Sequence, residues 1–390
     1  MGGESPPTIL TGVVSMLSPT EPYNELPMVS SIWMDVSPHM SRLAEDARVA
    51  IELLRYAVKT LPDHETLLDT LYLQEARSSS NIENIATTND DIYRDAVMEE
   101  SSEEVKAVKK YKAAMEAGFE LVKEKQQLAL DDIELINRKV NSRHGGIRAN
   151  LPQFSSLTRI QKTNIGGEKE TIYTPPHGKE LLMAQLIDML DYVYDDDNFE
   201  VHPLIKIALA HYQFESIHPY HDGNGRTGRI LNILFMLEKG YLDFPMLNIS
   251  SYITRHKSRY YELLQTARET QEYDAFVEFM LISFQKSAQQ TLHIVEGIRD
   301  LLNYYTDERY LSTLKGQSSA LRETIGIVFR KVYVRNSDLT QAELGIHRQT
   351  AASYLDQLAE EGLLVKEKKG RDNIYKNIKL LELFDDEREE

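Results

Sequence analysis

From Ser41 onward, apolar side chains recur at three- and four-residue spacing over almost the whole chain, as in Leu43, Ala47, Ala50 and Leu54, then Leu67, Leu68 and Leu71. That period is the helix's; strand side chains alternate every second residue. The pattern predicts helices over residues 104–122, 131–140, 179–194 and 202–212, the last with Leu204, Ile205, Ala208, Leu209 and Tyr212 on one stripe. One stretch, residues 150–176, departs from it. There β-branched residues mix with Gly166-Gly167 and end in Pro175-Pro176, which predicts a small hairpin between loops. The expected architecture is an all-α core with a single β excursion.

The chain's 390 residues exceed one ordinary core, so division is expected. Residues 1–40 hold Pro6, Pro7, Pro19, Pro22, Pro27 and Pro38 and read as an irregular, embracing arm. A helical region follows over 41–130, then a core over 131–315 that ends in a long helical run from about 278 to 314. Lys315-Gly316-Gln317-Ser318-Ser319 reads as a linker. Beyond it, residues 321–334, 339–344 and 348–361 read as three helices, the third closed by Gly362. A charged hairpin around 366–372 comes next. Three helices with a β-wing are the pattern of a winged helix-turn-helix over 320–380, and 381–390 reads as an acidic tail.

A net charge of −17 repels phosphate backbones, so nucleic-acid contact would need a local basic patch. With no cysteine there is no disulfide framework, no cysteine-ligated zinc and no thiol nucleophile, which favours a reducing cytoplasm. No apolar run has the length of a membrane span, so no membrane partner is expected. Met1-Gly2 opens like an acylation signal, but Pro6 stands where Ser or Thr is required.

The densest polar cluster is His218-Pro219-Tyr220-His221-Asp222-Gly223-Asn224-Gly225-Arg226-Thr227-Gly228-Arg229, set between the 202–212 stripe and a second one of Ile230, Leu231, Leu234 and Phe235. Asp-Gly followed by Asn-Gly lets successive amides turn inward at the start of a helix, a natural seat for phosphate. Arg226 and Arg229, three apart, share a face and can neutralise a polyphosphate. His218 is placed to exchange a proton and Asp222 to hold a divalent cation. The glycines also spell G-x-G-x-x-G, but a helix rather than a strand precedes them, which excludes a dinucleotide fold. Nearby His202, His211 and His221 raise a metal phosphohydrolase, which two adjacent arginines argue against. A mere capping turn would explain Asp222 and Gly223 alone. Upstream, Ser80-x-x-Glu83 is a capping box that opens a short helix at about 78–85.

The 218–229 string resembles the Fic motif H-P-F-x-D-G-N-G-R-x-x-R, with Tyr220 as the one substitution, and the likeness runs from about Leu67 to Arg268. The resemblance implies an all-α Fic fold with a hairpin flap, and a protein adenylyltransferase that moves AMP from ATP to a Ser, Thr or Tyr hydroxyl of a target protein, itself included. It implies that His218 is the catalytic base and Asp222 the Mg²⁺ ligand. Gly223, Asn224 and Gly225 would cradle the α/β-phosphates with Arg226, and Arg229 would grip the γ-phosphate, with Thr227 and Gly228 in the same loop. Ser79-x-x-x-Glu83-Asn84 is similar to the family's inhibitory [S/T]-x-x-x-E-[G/N] helix, which implies that Glu83 pairs with Arg229 in place of the γ-phosphate. Ile172-Tyr173-Thr174 looks like the flap that docks the target by strand addition, and Tyr260 resembles a residue lining the adenine pocket.

At the C-terminal module, Arg348, Gln349, Thr350 and Ser353 with Lys366, Lys368, Lys369, Arg371 and Lys376 suit DNA, while Glu360, Glu361, Glu367 and Asp372 leave it nearly neutral and equally suited to protein docking. A homodimer is the other expected partner. Two rivals stand beside AMP transfer: a Fic-fold enzyme with another donor or with AMP-removing activity, and a DNA-binding regulator that senses nucleotide.

Overall fold

Ser37 opens the first helix: its hydroxyl accepts the Met40 amide at 3.1 Å, and Pro38 takes the first helical position, where its missing N–H costs nothing. The computed structural model describes residues 17–61, 64–98, 102–141, 146–148, 160–163, 167–340, 344–369 and 372–385. After a 3₁₀ turn at Val29–Ser31 the elements run α1 (Pro38–Lys59), α2 (His64–Ile82), α3 (Asn89–Met98), α4 (Glu103–Lys125), α5 (Leu130–Val140), β1 (Ile160–Thr163), β2 (Lys169–Tyr173), α6 (Lys179–Tyr194), α7 (Pro203–Ile217), α8 (Asn224–Glu238), α9 (Ile249–Arg255), α10 (Lys257–Thr270) and α11 (Asp274–Thr306). The remainder is α12 (Glu308–Leu311), α13 (Ser318–Arg330), β3 (Tyr333–Arg335), α14 (Asn336–Asp338), α15 (Arg348–Glu360), β4 (Leu364–Lys369), β5 (Asp372–Asn377) and α16 (Ile378–Asp385).

Helices α7 and α8 occupy the centre. Every residue of α7 from Leu204 to Ile217 is buried, and so is nearly all of α8, the condition of a helix enclosed on all sides. Helices α4, α5, α6 and α11 surround the pair, and α1 lies along the 33-residue α11. Close approach is built in: a Cβ on Gly118 of α4 would fall 2.5 Å from Leu234 of α8. The described part of the arm embraces this core. Leu26 and Val29 are buried, Pro27 and Leu26 carbonyls accept from Gln213 and Gln185, and the Tyr23 amide donates to Thr174. Residues 1–16 of the arm lie outside the described residues.

The β excursion is the antiparallel pair β1–β2. A second sheet, in the order β3-β5-β4, lies in the C-terminal unit with α13 and α15. Here two expectations change. Tyr333 and Val334, expected to end the 321–334 helix, join Arg335 in a strand paired with β5, because a short apolar run is ambiguous until a partner strand takes it. The helix expected over 339–344 begins where expected, Leu339 and Thr340 continuing from α14 as a π-helical turn, and residues 341–343 are outside the described residues. The residues expected to begin an acidic tail at 381 continue α16, whose Leu380 and Phe384 are buried; 386–390 are outside the described residues.

The C-terminal unit rests on α3. Tyr333 Oη donates to Asp90, Lys376 Nζ lies 2.8 Å from the same carboxylate, Asn89 donates to Asp385 at 2.8 Å, and the rings of Tyr93 and Phe384 stack at 6.3 Å. The stretch expected as a linker is pinned as well. Gln357 of α15 exchanges hydrogen bonds with both backbone groups of Lys315, and Tyr354 Oη accepts the Gln317 amide.

Candidate active site

Residues 218–223 turn the chain from the end of α7 to the start of α8. Two left-handed residues make the turn: His218 (φ 48°, ψ 59°) ends α7 and Gly223 (φ 74°) precedes α8. Only glycine suits the second, since a Cβ there would meet Val140 at 3.0 Å and Asn137 at 3.3 Å. The Asn224 side chain accepts the Tyr220 amide and donates to the Tyr220 carbonyl, both at 2.8 Å, while Asn137 of α5 donates to the Asp222 carbonyl and to Thr227 Oγ1 at 3.1 Å. The loop is thereby fixed from three sides.

At the first turn of α8 a carboxylate from another helix sits on two guanidiniums. Glu83 Oε2 accepts from Arg226 Nε at 2.8 Å and Oε1 from Arg229 Nη2 at 3.0 Å. Arg229 is 1% exposed and also donates to the Ser79 hydroxyl at 2.8 Å and the Ser79 carbonyl at 3.0 Å. A Cβ on Gly225 would lie 2.8 Å from Glu83 Oε1, so the carboxylate rests directly on the glycine backbone, where α8's free amides and dipole favour negative charge. Glu83 follows the last residue of α2 and continues the four-residue spacing of Glu75 and Ser79 on that helix. Glu75 anchors that face: its carboxylate accepts from Tyr111 Oη at 2.8 Å and the Ser250 amide at 2.9 Å.

Burial sets the electrostatics. It pushes Glu75 and Glu215 up to about 7, and pulls His211 down to about 3. Burial would lower Arg229 too, but Glu83 and then Tyr260 and Glu215 hold its guanidinium above the ordinary value. His218 is pushed down to about 3, by burial first and then by the cations Arg268 and Arg148. Its imidazole is neutral near pH 7 and able to accept a proton. Asp222 is largely exposed; Oδ1 accepts the Gly223 amide at 2.7 Å.

Residues 41–120 match the Fic/DOC family N-terminal domain, 127–236 the Fic/DOC family, and 317–380 the C-terminal domain described as "Protein adenylyltransferase SoFic-like". The chain carries Fic/DOC family domains. Curated proteins similar to it include protein adenylyltransferase fic-1 of Caenorhabditis elegans, 32% identical over 121 residues, and protein adenylyltransferase Fic of Culex quinquefasciatus, 33% identical over 111 residues. These matches take in 31% and 28% of this chain and 22% and 20% of the relatives, so the chain spans about a fifth of their length. The crystal structure of a Fic family protein from Desulfovibrio desulfuricans G20 shares the fold, with a TM-score of 0.50 and 21% identity over 88% of this chain and 97% of that one.

Within this Fic/DOC core the expected site residues divide. Glu83, Ser79, Arg226, Arg229 and Gly225 meet at one point, with Asp222 beside Arg226 at 3.4 Å. Asn224 and Thr227 have their side chains committed to bracing the loop, and a Cβ on Gly228 would press on Glu215 at 2.8 Å, so that glycine serves packing. Tyr260 is 1% exposed, its hydroxyl 2.8 Å from His211 Nε2, while its neighbour Tyr261 is 42% exposed. Of the flap residues, Tyr173 and Thr174 are buried. Tyr173 Oη donates to the Ser216 carbonyl and Thr174 Oγ1 to that of Pro19, so only Ile172 is partly open. The capping box falls too: Ser80 lies inside α2, donating to the Ala76 carbonyl at 2.8 Å, and Glu83 stands past that helix's end rather than at the first turn of a new one.

Sequence reasoning missed Asn137, Glu75, Glu215, Arg148 and Arg268. Asn137 and Glu75 lie inside helical runs where nothing marks a polar residue as buried, and Arg148 stands alone after Gly145-Gly146. The low His218 value gives a direct check. Ring-¹⁵N spectra of the full chain should show His218 neutral from pH 8 down to 5; a midpoint near the ordinary 6.5 would contradict the electrostatics described here.

Proposed function

We propose that this chain is a protein adenylyltransferase that transfers AMP from ATP to a Ser, Thr or Tyr hydroxyl of a target protein, including its own, and that Glu83 holds it inactive. The observation that carries the reading is the seat of Glu83: a phosphate-binding helix start with two guanidiniums, filled by the protein's own carboxylate. The curated relatives bear the name protein adenylyltransferase, which supports the same activity.

With Glu83 withdrawn, Arg226 and Arg229 face the outer phosphates of ATP, and the Gly225 backbone approaches them without a side chain. Neutral His218 then takes the proton of the target hydroxyl as its oxygen bonds to the α-phosphorus, and the bond to the bridging oxygen breaks to release pyrophosphate. The residues present fit a cation that arrives with the nucleotide. No cluster of three or more His, Asp or Glu able to hold a metal occurs among the described residues, whereas one exposed carboxylate plus substrate phosphates is how Mg²⁺ is commonly held. Asp222 would hold it, and it would supply positive charge to the phosphates.

The C-terminal unit is a docking module on this reading rather than a DNA reader. Lys366 pairs with Asp356 at 2.7 Å and Lys376 with Asp90 and Glu367, so two of the expected wing cations serve ion pairs. Arg371 lies outside the described residues, as does the Lys369 side chain. The face of α15 that carries Tyr354 and Gln357 is taken up by residues 315–317. The absence of cysteine supports action in the cytoplasm.

Glu83→Gly should raise self-labelling and target labelling from α-phosphate-labelled ATP by at least about tenfold, a 1.4 kcal/mol change in transition-state access, with GTP and UTP tested beside it. Labelling no stronger than the parent's with any donor would overturn the inhibitory role. Fluorescence anisotropy with a labelled duplex at low salt should show no saturable binding; affinity that falls steeply with salt would return the wing to DNA.

A further inference from the structure

We propose that Arg148 is a positioning residue for the His218 base, one that ties the left-handed backbone of His218 to the end of the flap. The inference rests on the AMP-transfer reading for its kinetic consequence, but its geometry stands alone. The last carbonyls of α7 have no helical partners and must find donors elsewhere, since the helix end is buried. All four find side chains. Arg268 Nη2 donates to the Glu215 carbonyl at 3.1 Å, Tyr173 Oη to that of Ser216 at 2.9 Å, Arg148 Nη2 to that of Ile217 at 3.2 Å, and Arg148 Nε to that of His218 at 3.0 Å.

Arg148 does more than cap. Its Nη2 also donates to the Pro176 carbonyl, just beyond β2, and its own amide donates to the Pro219 carbonyl at 2.9 Å. One guanidinium, 0% exposed, therefore spans both sides of the base and the foot of the flap. A planar fork with donors in fixed directions can serve three carbonyls at once; an ammonium on a flexible stem cannot. His218 holds a conformation that non-glycine residues seldom adopt, so it depends on surroundings that over-determine it. The buried face of Arg268 on the Tyr173 ring, 4.2 Å away, completes the same cap from α10. Anything that draws on the flap, a bound target segment above all, is thus transmitted through Pro176 and Arg148 to the atom that must take the proton.

The test is Arg148→Lys in the full chain, made in both the parent and the Glu83→Gly background. The variant keeps the buried charge and loses the fork. We expect kcat for AMP transfer to fall about ten- to a hundredfold, the scale of a small misplacement of a catalytic group, while KM for ATP stays within about twofold. The His218 ¹³Cα shift should at the same time leave its left-handed position. A fall in kcat without that shift, that shift without a fall, or neither, overturns the proposal. Should Arg148→Lys lose its cooperative melt, Arg148→Gln, which keeps a planar donor but cannot reach all three carbonyls, is judged by the same two readouts. If Glu83→Gly transfers no nucleotide at all, the AMP-transfer reading fails, and the His218 ¹³Cα shift alone decides whether Arg148 positions it.

Discussion

One carboxylate on two guanidiniums organises this molecule. Arg229 is almost wholly buried, and a buried charge stripped of its partner costs about 3–5 kcal/mol, so something anionic must stand against it. Glu83 supplies that charge from outside the helix that carries the arginines. Because Glu83 itself is 22% exposed in its side chain, it can leave for solvent, whereas Arg229 cannot. On the proposed reading, the asymmetry suits an anion receptor whose resident occupant is a tethered side chain, to be displaced by a ligand that offers more negative charge.

The neighbouring structure decides how tightly that tether is held. Helix α2 is fastened by Glu75 to Tyr111 and Ser250, and Ser79 makes its own bond to Arg229. Residues just past Glu83 lead into α3, and α3 carries the ion pairs and stacked rings of the C-terminal unit. On the proposed reading, a partner that engages that unit would bear on the segment that carries Glu83, through α3 and through α13, which packs against α2.

The 218–229 turn was legible because its chemistry is local: a helix end, a glycine-permitted turn and a helix start all fall within twelve consecutive residues. The helical core was legible for a similar reason, its period being written into every segment. What depended on burial was not. Tyr260 and Tyr261 are adjacent in the chain, and only packing against His211 and Phe276 decides which of them faces inward. Ser80-x-x-Glu83 reads as a helix start, yet the same residues close α2, because the pattern carries no information on where the helix began. Arg148 left no trace, since a lone arginine in a glycine-flanked segment shows neither period nor partner until the fold brings it beneath His218.

The central claim is that Glu83 and the terminal phosphate of ATP compete for the Arg229 guanidinium. Titration calorimetry of ATP and ADP against the parent and Glu83→Gly tests it without relying on turnover. ADP lacks the phosphate that Glu83 replaces, so removing Glu83 should raise the affinity for ATP by at least about tenfold, 1.4 kcal/mol, and leave that for ADP within about twofold. An ATP-to-ADP ratio that is the same in both proteins would contradict the account.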